Sequence, residues 1–218
     1  MNKNTTTKPT SSKEAYFTEA SNLVAIARIQ ARIGNLDSHV TDLRRVLRKI
    51  ERYDFNRLCA EICGLLQYFY YQYSHDRLRG TKYEKKRCHY TKLADIEENM
   101  MAKYAEISYK LKATAHPSKS LKEELTNLCN EISPLLSLKN LPISKFIYSL
   151  LVIEANTNNR LEDYISYCKE AIQFLESKND SGAKHFYYYL VPTMMEVKKY
   201  DLAVEYLNLS LLKLRKGS

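Results

Sequence analysis

The sequence predicts an all-α protein of about nine helices, stacked as antiparallel helical hairpins. Glycine and proline number only five each in 218 residues, too few for the many turns of a sheet protein. Apolar residues recur at spacings of three and four along most of the chain, the period of a helix face. No run reads as a strand.

Residues Met1 to Ser12 are polar, rich in Thr, Ser, Asn and Lys, and are expected to form a disordered tail. Ala20, Leu23, Val24, Ala27 and Ala31 define the first helix, which Gly34-Asn35 should end by left-handed backbone geometry. Val40, Leu43, Val46, Leu47 and Ile50 give the second its apolar side. Asp54 is the expected N-cap of a third, which runs through Leu58, Ile62, Leu65, Leu66 and Phe69 to about Ser74. The polar stretch His75 to Lys82, with Gly80 in it, reads as a turn.

A long helix is expected from Tyr83 to Thr114, since Leu93, Ile96, Met100, Tyr104, Ile107 and Leu111 hold the spacing without a break. His116-Pro117-Ser118 ends it, because a residue before proline is pushed out of the α region. The next helix starts near Ser120 and carries Leu125, Leu128, Ile132 and Leu135. Pro142 stands where a first-turn proline opens a helix through Ile147, Leu150, Leu151 and Ile153. After a polar corner at Asn156 to Asn159 comes a helix over Leu161 to Glu176. The loop Lys178-Asn179-Asp180-Ser181-Gly182 precedes two last helices, Ala183 to Lys198 and Asp201 to Leu214. Pro192 should kink the first of these or delay its start. Residues 13–216 form one helical domain on this reading, with sub-blocks 13–116 and 118–216.

Composition narrows the setting. Hydrophobic residues make up 44% and charged residues 27% of the chain, the balance of a folded soluble domain. The 34 basic residues against 25 acidic ones give a net charge of +9, which suits an acidic partner, nucleic acid or anionic lipid without selecting among them. Five cysteines, an odd number without paired spacing, read as reduced thiols and a cytoplasmic protein. The first residues lack the apolar core of a secretory signal. No segment approaches the roughly 18 consecutive apolar residues of a membrane span.

The C-terminal hairpins repeat. Leu161, Tyr164, Cys168, Ala171 and Ile172 align with Tyr200, Ala203, Leu207, Ser210 and Leu211 at an offset of 39 residues. Tyr148, Leu151 and Val152 align in the same way with Tyr187, Leu190 and Val191. The first hairpin fits the same frame, with Leu23, Ile26 and Ala27 before the turn at Gly34 and His39, Leu43, Val46 and Leu47 after it. This pattern resembles tetratricopeptide-like helical repeats, best over residues 141–215, more weakly from Tyr16 to Tyr53, and not in the middle. The chain departs from the repeat at its turn glycine, where Asn159 and Lys198 stand, and at its small residue, where Tyr164 and His39 stand. Neighbouring hairpins would bury each other's apolar faces as an α-solenoid. The resemblance implies a protein-interaction scaffold.

Chemistry-bearing patterns are sparse. Cys59 and Cys63 share a helix face, and Cys88-His89 follows on another, a poor match to the paired ligand spacings of zinc. Small buried core residues are the plainer reading of these cysteines. The histidines are scattered, and no HExxH, GxSxG or phosphate-binding glycine loop occurs. Glu97-Glu98 and Glu123-Glu124 are adjacent in sequence and so point to different helix faces. No catalytic residue, metal or cofactor is expected.

Tyrosine is abundant, with 18 residues and no tryptophan. Two clusters stand out, Tyr68-Phe69-Tyr70-Tyr71 with Tyr73, and Phe186-Tyr187-Tyr188-Tyr189. Successive helical residues turn by about 100°, so some of each cluster must lie in a groove or at the surface, unless the long helix covers the first. Arg44, Arg48 and Arg52 recur every fourth residue, widened by Arg45 and Lys49. A second basic block runs through Arg77, Arg79, Lys82, Lys85, Lys86 and Arg87. Each block alone reads as a solvated face. Together with the aromatics they make Arg44, Arg48, Arg52, Tyr70, Tyr73, Arg77, Lys85 and Tyr188 the candidate partner-binding residues.

The expected occupant is an acidic or amphipathic segment of another protein. Two alternatives use related features. Single-stranded nucleic acid would combine stacking with backbone charge on the same residues. Self-association would use the C-terminal hairpin, whose Leu207, Leu209, Leu211, Leu212 and Leu214 are wide for an exposed helix.

Overall fold

The computed structural model describes residues 12–114 and 116–216, with the side chains of residues 13–114, 116–212 in view. The tail expected over Met1–Ser12 lies, Ser12 apart, outside the described residues. Among these residues are nine α-helices, three short 3-10 turns and no strand. The helices are α1 Ser12–Arg32, α2 Val40–Ile50, α3 Asn56–Gln72, α4 Arg77–Lys112, α5 Lys119–Ile132, α6 Leu141–Thr157, α7 Leu161–Ser177, α8 Ala183–Glu196 and α9 Tyr200–Lys216. No described helix is long and apolar enough to cross a membrane.

The chain divides into two compact units, Met1–Asp95 and Ile96–Ser218. The division falls inside α4 and not at the Pro117 turn.

In the first unit α1, α2 and α3 pack mutually. Their core is Ala20, Val24, Ala27, Leu36, Leu43, Val46, Leu47, Ile50, Cys59, Ile62, Cys63 and Leu66, all buried. The second helix follows its apolar spacing residue for residue, burying Val40, Leu43, Val46, Leu47 and Ile50. Asp54 does not stand at the N-cap position of α3. It takes the left-handed conformation at φ 53° that closes the preceding 3-10 turn, and Phe55 precedes the helix without a side-chain cap.

The long helix also begins earlier than its periodicity suggests. Asp76 accepts a hydrogen bond from the Arg79 backbone N–H at 2.9 Å, a carboxylate cap that starts α4 at Arg77. Gly80 is therefore helical and not a turn. A Cβ there would lie 2.4 Å from the Tyr71 ring, so glycine stands where an aromatic side chain of α3 meets α4.

In the second unit α5, α6, α7, α8 and α9 pack chiefly on their sequence neighbours. Ser118 caps α5 by accepting from the Leu121 N–H at 3.2 Å, so the helix starts close to Ser120 as its spacing indicates. The helix stops at Ile132, and a 3-10 turn with Pro134 near its start carries the chain over Ser133–Leu138. Asn140 caps α6, whose first turn holds Pro142. Pro192 lies inside α8 without ending it. Proline removes one ladder donor, and one turn earlier the Tyr164 hydroxyl donates to the Tyr189 carbonyl at 2.8 Å. Tyr164 thus links α7 to α8 by a side-chain hydrogen bond.

The three turns that the repeat frame aligns share one geometry. Gly34, Asn159 and Lys198 have φ of 77°, 55° and 58°. In each case the next residue's N–H reaches back five positions, from Asn35 to Gln30, Arg160 to Ala155 and Lys199 to Met194, at 2.8–2.9 Å. This is the Schellman ending, which satisfies the last carbonyls of a helix. Glu154, a buried carboxylate of α6, accepts from the Thr126 hydroxyl and the Asn158 amide at 2.8 Å each and pairs with Arg160. That set of bonds ties α5, α6 and the following turn together.

Candidate functional site

Charge is the first asymmetry between the units. Of the 34 basic and 25 acidic residues, 18 and 10 lie up to Asp95, and 16 and 15 lie beyond it. The excess positive charge therefore belongs almost wholly to the first unit.

Much of the acid in that unit is already engaged. Glu19 holds Arg45 and Lys49, and Asp42 also holds Arg45. Glu61 pairs with Arg28, Asp76 with Arg79 and Asp95 with Arg57. Glu51 receives the Lys86 ammonium at 2.6 Å and the Tyr90 hydroxyl at 2.9 Å. Burial would lower the Lys86 pKa, but the hydrogen bond and charge of Glu51 outweigh it and hold it above the ordinary lysine value. Glu84 accepts from the Tyr71 hydroxyl at 2.9 Å. Arg44, Arg48, Arg52, Arg77, Lys82, Lys85, Arg87 and Lys92 have no carboxylate partner among the described residues.

The first tyrosine cluster splits by depth. Tyr70 is only 3% exposed, stacked on Tyr83 with centroids 5.6 Å apart and rings 1° from parallel. The Arg79 guanidinium lies 5.6 Å from the Tyr70 ring centre, a cation–π contact. A ring covered in this way is a packing element and offers no face to a partner. Burial raises the Tyr83 pKa, while the nearby charges of Arg44 and Lys86 oppose that rise. Arg44 is thus within electrostatic reach of the α3–α4 aromatic seam.

Tyr68 and Tyr73 reach the surface, 43% and 40% exposed, and meet edge to face. The Tyr73 hydroxyl lies 3.9 Å from where a Cβ on Gly34 would be, which sets this pair beside the C-terminal end of α1. That end carries an apolar stripe outside the expected core face: Ile26, Ile29 and Ile33 are 48%, 62% and 68% exposed. Their spacing of three and four was the available signal. Ile26 in particular fits the repeat frame as a helix-face residue, yet the face it occupies is the outer one.

The expected site residues therefore fall into groups. Arg44 and Arg48 stand exposed on α2, and Arg52 on the 3-10 turn after it. Arg77 opens α4. Lys85 is exposed and, two residues from Tyr83, turns about 200° away from the aromatic seam. Its neighbours on that face are Lys82, His89 and Lys92, also exposed. Tyr188 is exposed on α8, in the second unit.

The second unit has a cleft of about 220 Å³ bordered by Tyr104, Lys145, Ser149, His185 and Tyr189. Tyr189 lines it rather than Tyr188. Lys145 is held there by Asp180 at 3.0 Å. Burial foremost, with the charges of Lys184 and Lys145, lowers the His185 pKa.

Cys59, Cys63, Cys129 and Cys168 are buried and Cys88 is exposed. Burial pushes the Cys63, Cys129 and Cys168 thiols up to about 12, far from the thiolate form that metals and electrophiles need. No three His, Cys, Asp or Glu side chains converge on a metal position among the described residues. Compared with protein-family models, curated proteins and solved structures, the chain matches none of them.

Proposed function

We propose that this protein is a non-catalytic helical scaffold that docks an acidic segment of a partner protein on its first unit. The carrying observation is the concentration of uncompensated positive charge there, with Arg44, Arg48, Arg52, Arg77 and Lys85 all exposed. Tyr73 and the outer stripe Ile29 and Ile33 lie in the same unit and supply the apolar surface that a bound segment needs beyond charge. Tyrosine and arginine are the residue types that anchor interfaces. A charge-led contact favours fast, salt-sensitive association.

The test is a pull-down with the purified chain from lysate, with and without nuclease, beside a variant carrying Arg44→Glu, Arg48→Glu and Arg52→Glu. The expected result is a protein retained by the unaltered chain after nuclease and lost by the variant. Recovery that disappears on nuclease treatment, with nucleic acid in the untreated sample, would replace this reading with phosphate-backbone binding. Equal recovery by both chains would remove the arginines from the site.

A further inference from the structure

The cleft of the second unit carries an inference independent of the charged surface of the first. Two pairs of side chains border it, Lys145 and Ser149 on α6 and His185 and Tyr189 on α8. Each pair is four residues apart and so shares one helix face. Tyr104 of α4 adds an aromatic wall, as does Phe186, which meets Tyr189 edge to face. The Lys145 ammonium is set in place by Asp180, whose Oδ1 also accepts the Gly182 N–H at 2.7 Å. A Cβ on Gly182 would lie 2.9 Å from the Lys145 Cε and Nζ, so glycine keeps the seat of the ammonium open.

The polar groups on this border are unspent. A lysine ammonium has three donors, and Asp180 takes one of those of Lys145. The Tyr104, Ser149 and Tyr189 hydroxyls and the His185 ring have no hydrogen-bond partner among the described residues. All of these groups can donate, and a carboxylate is an acceptor-only group that takes several donors at once. Lys145 and Lys184 against Asp180 leave one positive charge around His185, whose lowered pKa keeps its ring uncharged at neutral pH. A single negative charge balances this; the nearly doubled charge of a phosphate monoester would not. Drug-sized ligands fill roughly 300–1,000 Å³, and a cleft of about 220 Å³ admits only something smaller. We infer that this cleft binds a small aromatic carboxylate, with its anionic group on Lys145 and Ser149 and its ring against Tyr104 and Tyr189.

Proton NMR of the full chain titrated with benzoate tests this. The His185 ring protons, assigned by their loss in His185→Gln, should shift saturably, while those of the other four of the five histidines stay in place. Lys145→Gln should weaken benzoate binding by about tenfold or more, the loss of a charged hydrogen bond. That change also removes the ion pair with Asp180, so Ser149→Val serves as the second variant. It keeps the pair and should weaken binding by about fivefold. Benzamide, which keeps the ring and drops the charge, should leave the His185 protons in place at concentrations where benzoate saturates. The proposal is overturned by the absence of a saturable shift at His185, or by unchanged affinity in both variants when circular dichroism shows them folded. Benzamide binding as tightly as benzoate overturns it too, as does inorganic phosphate that shifts His185 at lower concentration than benzoate.

Discussion

Up to Asp95 the first three helices close on one another, whereas from α5 onward each helix packs chiefly on the helix before and the helix after it. The charge follows the same division: nearly all of the chain's excess lies in the closed trio, and the serial stack is close to neutral. The two halves are made of similar amphipathic helices, so the difference is not one of element type. The trio buries a shared apolar core and carries its charge outside, beside the exposed Ile26, Ile29 and Ile33. In the second unit the outer face of α9 is apolar and exposed. The first arrangement suits recognition of an oppositely charged partner.

Core truncation gives the largest expected effects and tests the difference in cooperativity. Leu43 and Leu175 are both fully buried, so Leu43→Ala and Leu175→Ala should each cost about 2–5 kcal/mol. Hydrogen exchange should then show protection falling in α1, α2 and α3 together for the first, but mainly in α6, α7 and α8 for the second. Uniform loss across the whole chain in either variant would erase the distinction between the units.

Gly80→Ala should show the next largest effect. In an open helix this change stabilises by about 1 kcal/mol. Here the added methyl meets the Tyr71 ring, which Thr81 and Glu84 hold through its hydroxyl, and overpacking should cost about 1–3 kcal/mol. Chemical denaturation gives the sign, and a stabilised variant would show that α3 and α4 are looser than described.

The matched turns give the smallest effects and link the two units. Gly34→Ala should destabilise by about 1 kcal/mol, because a Cβ is unfavourable at its positive φ. Lys198→Gly, at the equivalent turn, should stabilise by up to about 1 kcal/mol for the same reason. Opposite signs in thermal melts would confirm that the two turns are one motif with different residues; equal signs would separate them.

Much of the helical architecture was legible because a face repeating every three or four residues depends only on local spacing. The apolar positions of α2, the loop before α8 and the proline at the start of α6 all follow from such local rules. The missed features depend on contacts between distant residues. Gly80 looks like a turn until the Tyr71 ring is placed beside it, and Asp54 looks like a cap until the preceding turn needs a left-handed residue. Tyr164 looks like a plain helix-face residue until its hydroxyl is placed on the Tyr189 carbonyl of α8.

The site was legible in outline. Positive charge and tyrosine could be read as a combination, and the exposed arginines of α2 are where their spacing put them. Depth could not be read. Tyr70 and Tyr73 are three residues apart, yet one is stacked beneath Tyr83 and the other reaches solvent. The stripe of Ile26, Ile29 and Ile33 was hidden by a second, better apolar face on the same helix.

The central claim is that the first unit, and not the second, holds the partner. The most direct measurement compares two charge reversals of equal size by quantitative mass spectrometry of nuclease-treated pull-downs. One carries Arg44→Glu, Arg48→Glu and Arg52→Glu; the other carries Lys112→Glu, Lys169→Glu and Lys199→Glu, all exposed positions of the second unit. Loss of the retained protein in the first variant and full retention in the second is the predicted result. Loss in the second with retention in the first would contradict it and move the binding surface to the other half of the molecule.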